Sequence, residues 1–93
     1  MGFDDKVHGD EAEIEIHDEE VDSAFEKLKL FISEKKAVLI EKIGPIIVGS
    51  QEINYYKFLI DNNEVRIIFE TYFGIRIIGK RCILDEINLI ISL

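Results

Sequence analysis

Between Gly74 and Leu84 the stretch "GIRIIGKRCIL" gathers Arg76, Lys80 and Arg81 around Cys82, the only cysteine, with no acid among them. Cations at this spacing can hold a phosphate or a carboxylate. They can also favour the thiolate of a neighbouring cysteine. No histidine or second cysteine adjoins Cys82, so a buried or half-buried structural thiol is the expected role. A second group of chemically able residues lies near the start. His8 and His17 stand among Asp10, Asp18, Glu19 and Glu20, a mixture of donors that can hold zinc or a similar ion. The spacing matches no recognised ligand pattern, and no metal is assigned.

Catalytic signatures are missing from the sequence. It has no Gly-rich phosphate loop, no G-x-S-x-G elbow and no Cys-x-x-Cys pair. None of Ser23, Ser33, Ser50 and Ser92 has a neighbour that marks it as a nucleophile, and no two carboxylates stand out as an acid–base pair. No catalytic residue and no cofactor are therefore assigned.

The cations look anomalous against a formal net charge of −8, but the charge is unevenly placed. Residues 1–26 carry eleven acids and one base, while residues 27–93 carry eight acids and ten bases. An acidic leader thus precedes a nearly neutral, slightly basic body, and the average charge says little about the surface that meets a partner. Closely spaced carboxylates in that leader could imitate a nucleic-acid backbone toward a basic partner. Some also suit a helix start.

Ninety-three residues, 47% of them hydrophobic, make one domain with one core. An acidic flexible tail is expected over 1–11 and a single α+β domain over 12–93. No run of 18 apolar residues suggests a membrane span. The first residues lack the apolar stretch of a signal peptide. Gly2 begins a myristoylation-like start, but Lys6 stands where Ser or Thr is required. With one cysteine and no internal disulfide, a cytoplasmic location is expected. The Lys/Glu-rich, Gln-poor balance is one reported for thermophiles, and AT-rich coding produces it as well.

These groups must be positioned by a few elements. "AEIEIHD" (12–18) alternates acid and isoleucine, as an edge strand or the lead-in to a helix would. Val21, Ala24, Phe25, Leu28, Phe31 and Ile32 recur at three- and four-residue steps and predict an amphipathic helix over 18–36. Asp18 suits its N-cap, and Lys35 and Lys36 suit its last turn. "AVLIEKIGPIIVGS" (37–50) reads as a strand, a break at Gly44-Pro45 and a short strand, with Pro45 at an edge or turn.

The segment 53–73 predicts a hairpin with strands 53–60 and 65–73. If Asn62-Asn63 forms the turn, Ile60 faces Val65, Phe58 faces Ile67 and Tyr56 faces Phe69. That side is the core. Leu59, Arg66, Lys57, Ile68, Tyr55 and Glu70 fall on the other. Gly74 reads as a bulge or bend, after which "IRII" continues as strand. The end, "ILDEINLIISL", predicts a short helix over 83–92, with a strand as the alternative. The expected fold is α+β: an antiparallel sheet of three to five strands, packed on one face by the 18–36 helix.

If the strand keeps its parity through Gly74, Tyr55, Lys57, Arg66, Tyr72 and Arg76 share one sheet face, with Lys80 and Arg81 beyond its end. Cations and aromatics on a sheet can stack bases and hold phosphates. They are equally the composition of a protein interface. The preferred expectation is a non-catalytic interaction module that self-associates as a homodimer through such a face. Nucleic-acid binding by the same residues is the alternative.

Two family likenesses arise here. Ile77, Ile78, Gly79 and Lys80 resemble the I-I-G-K-x-G loop of KH RNA-binding domains. However, that family's second glycine falls on Cys82 and its downstream isoleucine on Asp85. The order helix, strands, helix also resembles the double-stranded-RNA-binding domain in outline. That family's lysine-rich start to the last helix is matched here only by Lys80 and Arg81, with Asp85 and Glu86 following. Neither family is assigned.

Overall fold

The computed structural model describes residues 9–92. Five strands form one sheet: β1 (Glu11–Ile16), β2 (Val38–Val48), β3 (Gln51–Ile60), β4 (Asn63–Glu70) and β5 (Gly74–Lys80). Two helices complete the fold, α1 (Val21–Glu34) and α2 (Arg81–Ile91). The strand order is β1-β5-β4-β3-β2, with every neighbouring pair antiparallel. Strands β2 to β5 follow one another as a meander. α1 carries the chain from one edge strand, β1, to the other, β2. The architecture is α+β.

α1 forms where the apolar period predicted it. Ala24, Leu28 and Phe31 are buried along one stripe, with Val21 and Ile32 half-buried at its sides. Its ends differ from expectation. A 3-10 turn over Asp18–Glu20 leads in, so Glu20 rather than Asp18 occupies the N-cap. The helix stops at Glu34, and Lys35 and Lys36 lie beyond the last turn. The Lys36 N–H donates to the Ser33 carbonyl at 3.1 Å, and the Ala37 N–H donates to the Ile32 carbonyl at 3.0 Å. Together these form a Schellman motif. Lys36 therefore holds the left-handed position, φ +53°, that glycine usually fills. α2 runs over 81–91 rather than 83–92, and its first turn contains no acid. Ile83, Leu84 and Ile87 are its buried residues.

The central hairpin lies two residues out of the expected register. Asp61 and Asn62 make the turn, both with positive φ, and Ile60 pairs with Asn63. Phe58 then faces Val65, Tyr56 faces Ile67 and Asn54 faces Phe69. A turn at Asn62-Asn63 would set Asp61 against Glu64. The observed turn avoids that repulsion, and the Asn63 side-chain amide donates to the Asp61 carbonyl at 2.9 Å. Because the slip is even, every side chain keeps its face.

Gly74 is neither a bulge nor a mid-strand residue. The chain reverses over Thr71, Tyr72 and Phe73, and Gly74 opens β5 opposite Glu70. The expected 65–73 strand thus ends at Glu70. The Phe73 N–H donates to the Glu70 carbonyl at 3.1 Å, and Tyr72 takes φ +77° within this turn. Gly74 has φ +103°, and a Cβ there would lie 2.0 Å from the Ile16 carbonyl oxygen. Only glycine lets the end of β1 pass so close to the start of β5.

β2 is one long strand rather than two short ones. It passes through Gly44-Pro45 with a cis peptide bond there and irregularities between Leu39/Glu41 and Ile43/Ile46. Pro45 lies on an edge strand, as its missing N–H requires.

The main core lies between the helices and one face of the sheet. Ile16, Ile60, Val65, Ile67, Ile75 and Ile77 meet Ala24, Leu28, Phe31, Ile83, Leu84 and Ile87. α2 packs on β1 and β5, and α1 packs on α2. α2 thus covers the β1 side of the sheet, α1 beside it reaches Phe69 of β4, and β2 lies outside their cover.

Candidate functional site

The face away from the helices collects most of the cations singled out in the sequence. Arg66 lies between Lys57 on β3 and Ile78 on β5, and Arg76 lies opposite Ile68. Tyr55 is opposite both Ile43 and Ile68. Three strands thus place Tyr55, Lys57, Arg66 and Arg76 on one face. Tyr72 leaves it, because it sits in the β4–β5 turn, where its hydroxyl lies 3.3 Å from Ser50 Oγ. Lys80 closes β5 opposite Glu11, and Arg81 is the first residue of α2.

This face brings its own acids. Arg66, 1% exposed, donates from Nη2 to Glu11 Oε1 at 2.7 Å, and Glu11 is itself 13% exposed. Arg76 donates from Nε to Glu13 Oε1 at 2.9 Å. Lys57 Nζ lies 3.6 Å from Glu64 and 3.7 Å from Glu41. Burial opposes the Lys57 charge, but Tyr55, Glu64 and Glu41 together outweigh it and raise the ammonium above its ordinary value. Burial likewise pushes the Tyr55 hydroxyl up, against the opposing pull of Lys57 and Arg66. Tyr55, Ile68 and Ile78 form a second small buried cluster, flanked by Ile43 and Ile53. Glutamates of β1, β2 and β4 therefore neutralise Lys57, Arg66 and Arg76 within the sheet itself. A phosphate approaching this face would have to displace a carboxylate at each cation.

The helix side is different. Past the helices, the inner face of the sheet continues toward β2 without cover. Phe25, Leu28, Lys29 and Ile32 of α1 and Tyr56, Phe58, Ile67 and Phe69 of the sheet border an apolar hollow of about 190 Å³. The Phe25 and Phe69 rings meet edge to face at 5.3 Å, and Tyr56 and Phe69 do so at 5.8 Å. The same three aromatics continue into an open groove of about 540 Å³. Asp22, Glu52, Asn54, Glu70 and Tyr72 line its polar side.

The chain matches no protein-family model, no curated protein and no solved structure.

β2 shows what residue chemistry alone did not reveal. Val38, Leu39, Ile40, Ile47 and Val48 are each about half exposed or more. Leu39 and Ile47 point to the helix side and Val38 and Val48 to the other, following their partners Phe58, Glu52, Leu59 and Gln51. Among the described residues no other strand borders the outer edge of this strand. The β-branched run at 37–50 was visible in the sequence. Its position at an edge depends on the long-range strand order.

Cys82 is exposed on α2, not buried or half-buried as expected. His17 is exposed beside Glu15 at 3.9 Å, and His8 lies outside the described residues. Among the described residues no three His, Cys, Asp or Glu side chains are grouped to hold a metal ion. Among the described residues no helix is long and apolar enough to cross a membrane.

Proposed function

We propose that this protein is a small non-catalytic interaction module that self-associates through its exposed edge strand β2. One observation carries the reading. An eleven-residue edge strand presents five large apolar side chains to water, on both of its faces. An unpaired backbone edge flanked by such side chains is a template for another strand. Apolar surface of this extent on a small domain is characteristic of an interface. The surface favoured here lies at the β2 edge, whereas the cation-bearing face is already occupied by internal ion pairs.

A two-fold arrangement is favoured because a closed pair of β2 strands leaves neither edge free. Light scattering coupled to gel filtration, run over a wide concentration range, tests the proposal. A dimer is expected for the natural chain. A monomer with unchanged circular dichroism is expected for the double variant Ile40→Lys/Ile47→Lys. A natural chain that stays monomeric at high concentration would overturn the reading.

A further inference from the structure

We infer that the open groove between the start of α1 and strands β3 and β4 is a docking site for a basic segment of a partner protein. The segment would carry an arginine or lysine next to an apolar residue. The site goes beyond self-association and uses different residues from the exposed β2 side chains.

The groove has two connected parts. The apolar hollow bordered by Leu28, Ile32, Phe58 and Ile67 has the size of one aliphatic side chain with little polar surface around it. The larger groove begins at the same Phe25, Tyr56 and Phe69 rings and ends on carboxylates. A long basic side chain matches that sequence of surfaces. Its methylene stem packs on the rings, and its charge reaches the acids.

The acids are available for this. Glu52 Oε2 accepts from the Asn54 amide at 3.1 Å. That donor is neutral, so the Glu52 charge is not compensated. Among the described residues no cation lies within ion-pair distance of Asp22 or Glu52. Their position contrasts with the opposite face, where Glu11, Glu13, Glu41 and Glu64 all meet a cation.

Shape selects a chain segment over a free amine. The groove is broad and open along its length. A small polyamine would remain largely hydrated there and gain little. A peptide adds the neighbouring apolar contact and lies across both parts.

The experiment is fluorescence anisotropy at low salt, with a labelled peptide of alternating arginine and leucine as the probe. The same peptide with glutamate for arginine, and spermine as competitor, are the comparisons. Saturable binding of the basic peptide is expected, with at least tenfold weaker binding by Asp22→Asn/Glu52→Gln. The control Glu34→Gln/Asp85→Asn removes two exposed charges outside the groove and is expected to leave affinity unchanged.

Tyr72→Gly separates a binding role from a structural one. Glycine relieves the positive φ at this position, so the thermal midpoint is expected to stay level or rise. Binding is expected to weaken severalfold because the rim ring is gone. Several outcomes would overturn the proposal: no saturable binding, equal binding of the acidic peptide, or equal weakening by the control. Full displacement by spermine at equal concentration would assign the groove to a free amine instead. A natural chain that is monomeric yet binds the peptide would separate this site from the self-association reading.

Discussion

Arg66 is the residue where the largest electrostatic stake is concentrated. It is 1% exposed, and its guanidinium meets Glu11 at 2.7 Å. A charge so placed is tolerable only beside a counter-charge. Glu11→Ala is expected to cost about 3 kcal/mol in urea denaturation, since it withdraws a carboxylate from the buried Arg66 charge. Arg66→Met should cost about 1 kcal/mol, because Glu11 begins an edge strand opposite Lys80 and can rehydrate. Equal costs would show that packing, not charge, governs the site. Tyr55 supplies a second prediction on the same face. Burial raises its hydroxyl pKa, and Lys57 is raised as well by its neighbours. A group whose folded value exceeds its unfolded one stabilises fully below the unfolded value, about 10 for tyrosine. That stability is lost as pH rises through the folded value. The urea midpoint is therefore expected to hold up to about pH 9 and fall beyond about pH 10, with a shallower fall in Tyr55→Phe. An identical alkaline slope in the variant would remove Tyr55 as a cause.

The elements are joined at two left-handed positions with opposite expectations. At the end of α1, Lys36 fills the Schellman position with φ +53°. Lys36→Gly removes the Cβ penalty and is expected to stabilise by about 0.5–1 kcal/mol. At the start of β5, a Cβ on Gly74 would meet the Ile16 carbonyl. Gly74→Ala is expected to destabilise by about 3 kcal/mol and to loosen the β1–β5 pairing first, visible as faster amide exchange along β1. Protection in β1 equal to that of the natural chain would contradict the close approach. These two positions also mark where sequence reading succeeds and where it stops. The α1 stripe and the core side of the hairpin were legible from periodicity. They survived a register error because a slip of two preserves parity. The reversal at Thr71–Phe73 was not legible. Apolar residues alternate on both sides of it, and its positive φ falls on Tyr72, a residue that rarely takes it. The neutralised cations were hidden for another reason. Glu11 and Glu13 reach Arg66 and Arg76 only through a β1–β5 pairing that spans most of the chain.

At the scale of the whole molecule, the two helices cover the sheet from β1 to β3 and leave the edge strand β2 open. Isoleucine-rich strands give this chain more apolar surface than two short helices can cover. The surplus emerges at β2. That strand also carries features that restrain indiscriminate pairing: Glu41 and Lys42 in mid-strand, Pro45 without an N–H, and two breaks in register. A surface both sticky and interrupted favours a defined pair over an open fibre. If the pair forms, folding is coupled to association, and apparent stability depends on protein concentration. The thermal midpoint of the natural chain is therefore expected to rise steadily as concentration is raised. In Ile40→Lys/Ile47→Lys it should be lower at high concentration and independent of concentration throughout. The two chains should converge on dilution, because each lysine replaces a side chain that is exposed in the single chain and costs little there. A gap that persists at the lowest concentration would mean that the substitutions damage the fold itself. A midpoint of the natural chain that does not move with concentration would mean that β2 meets no second copy.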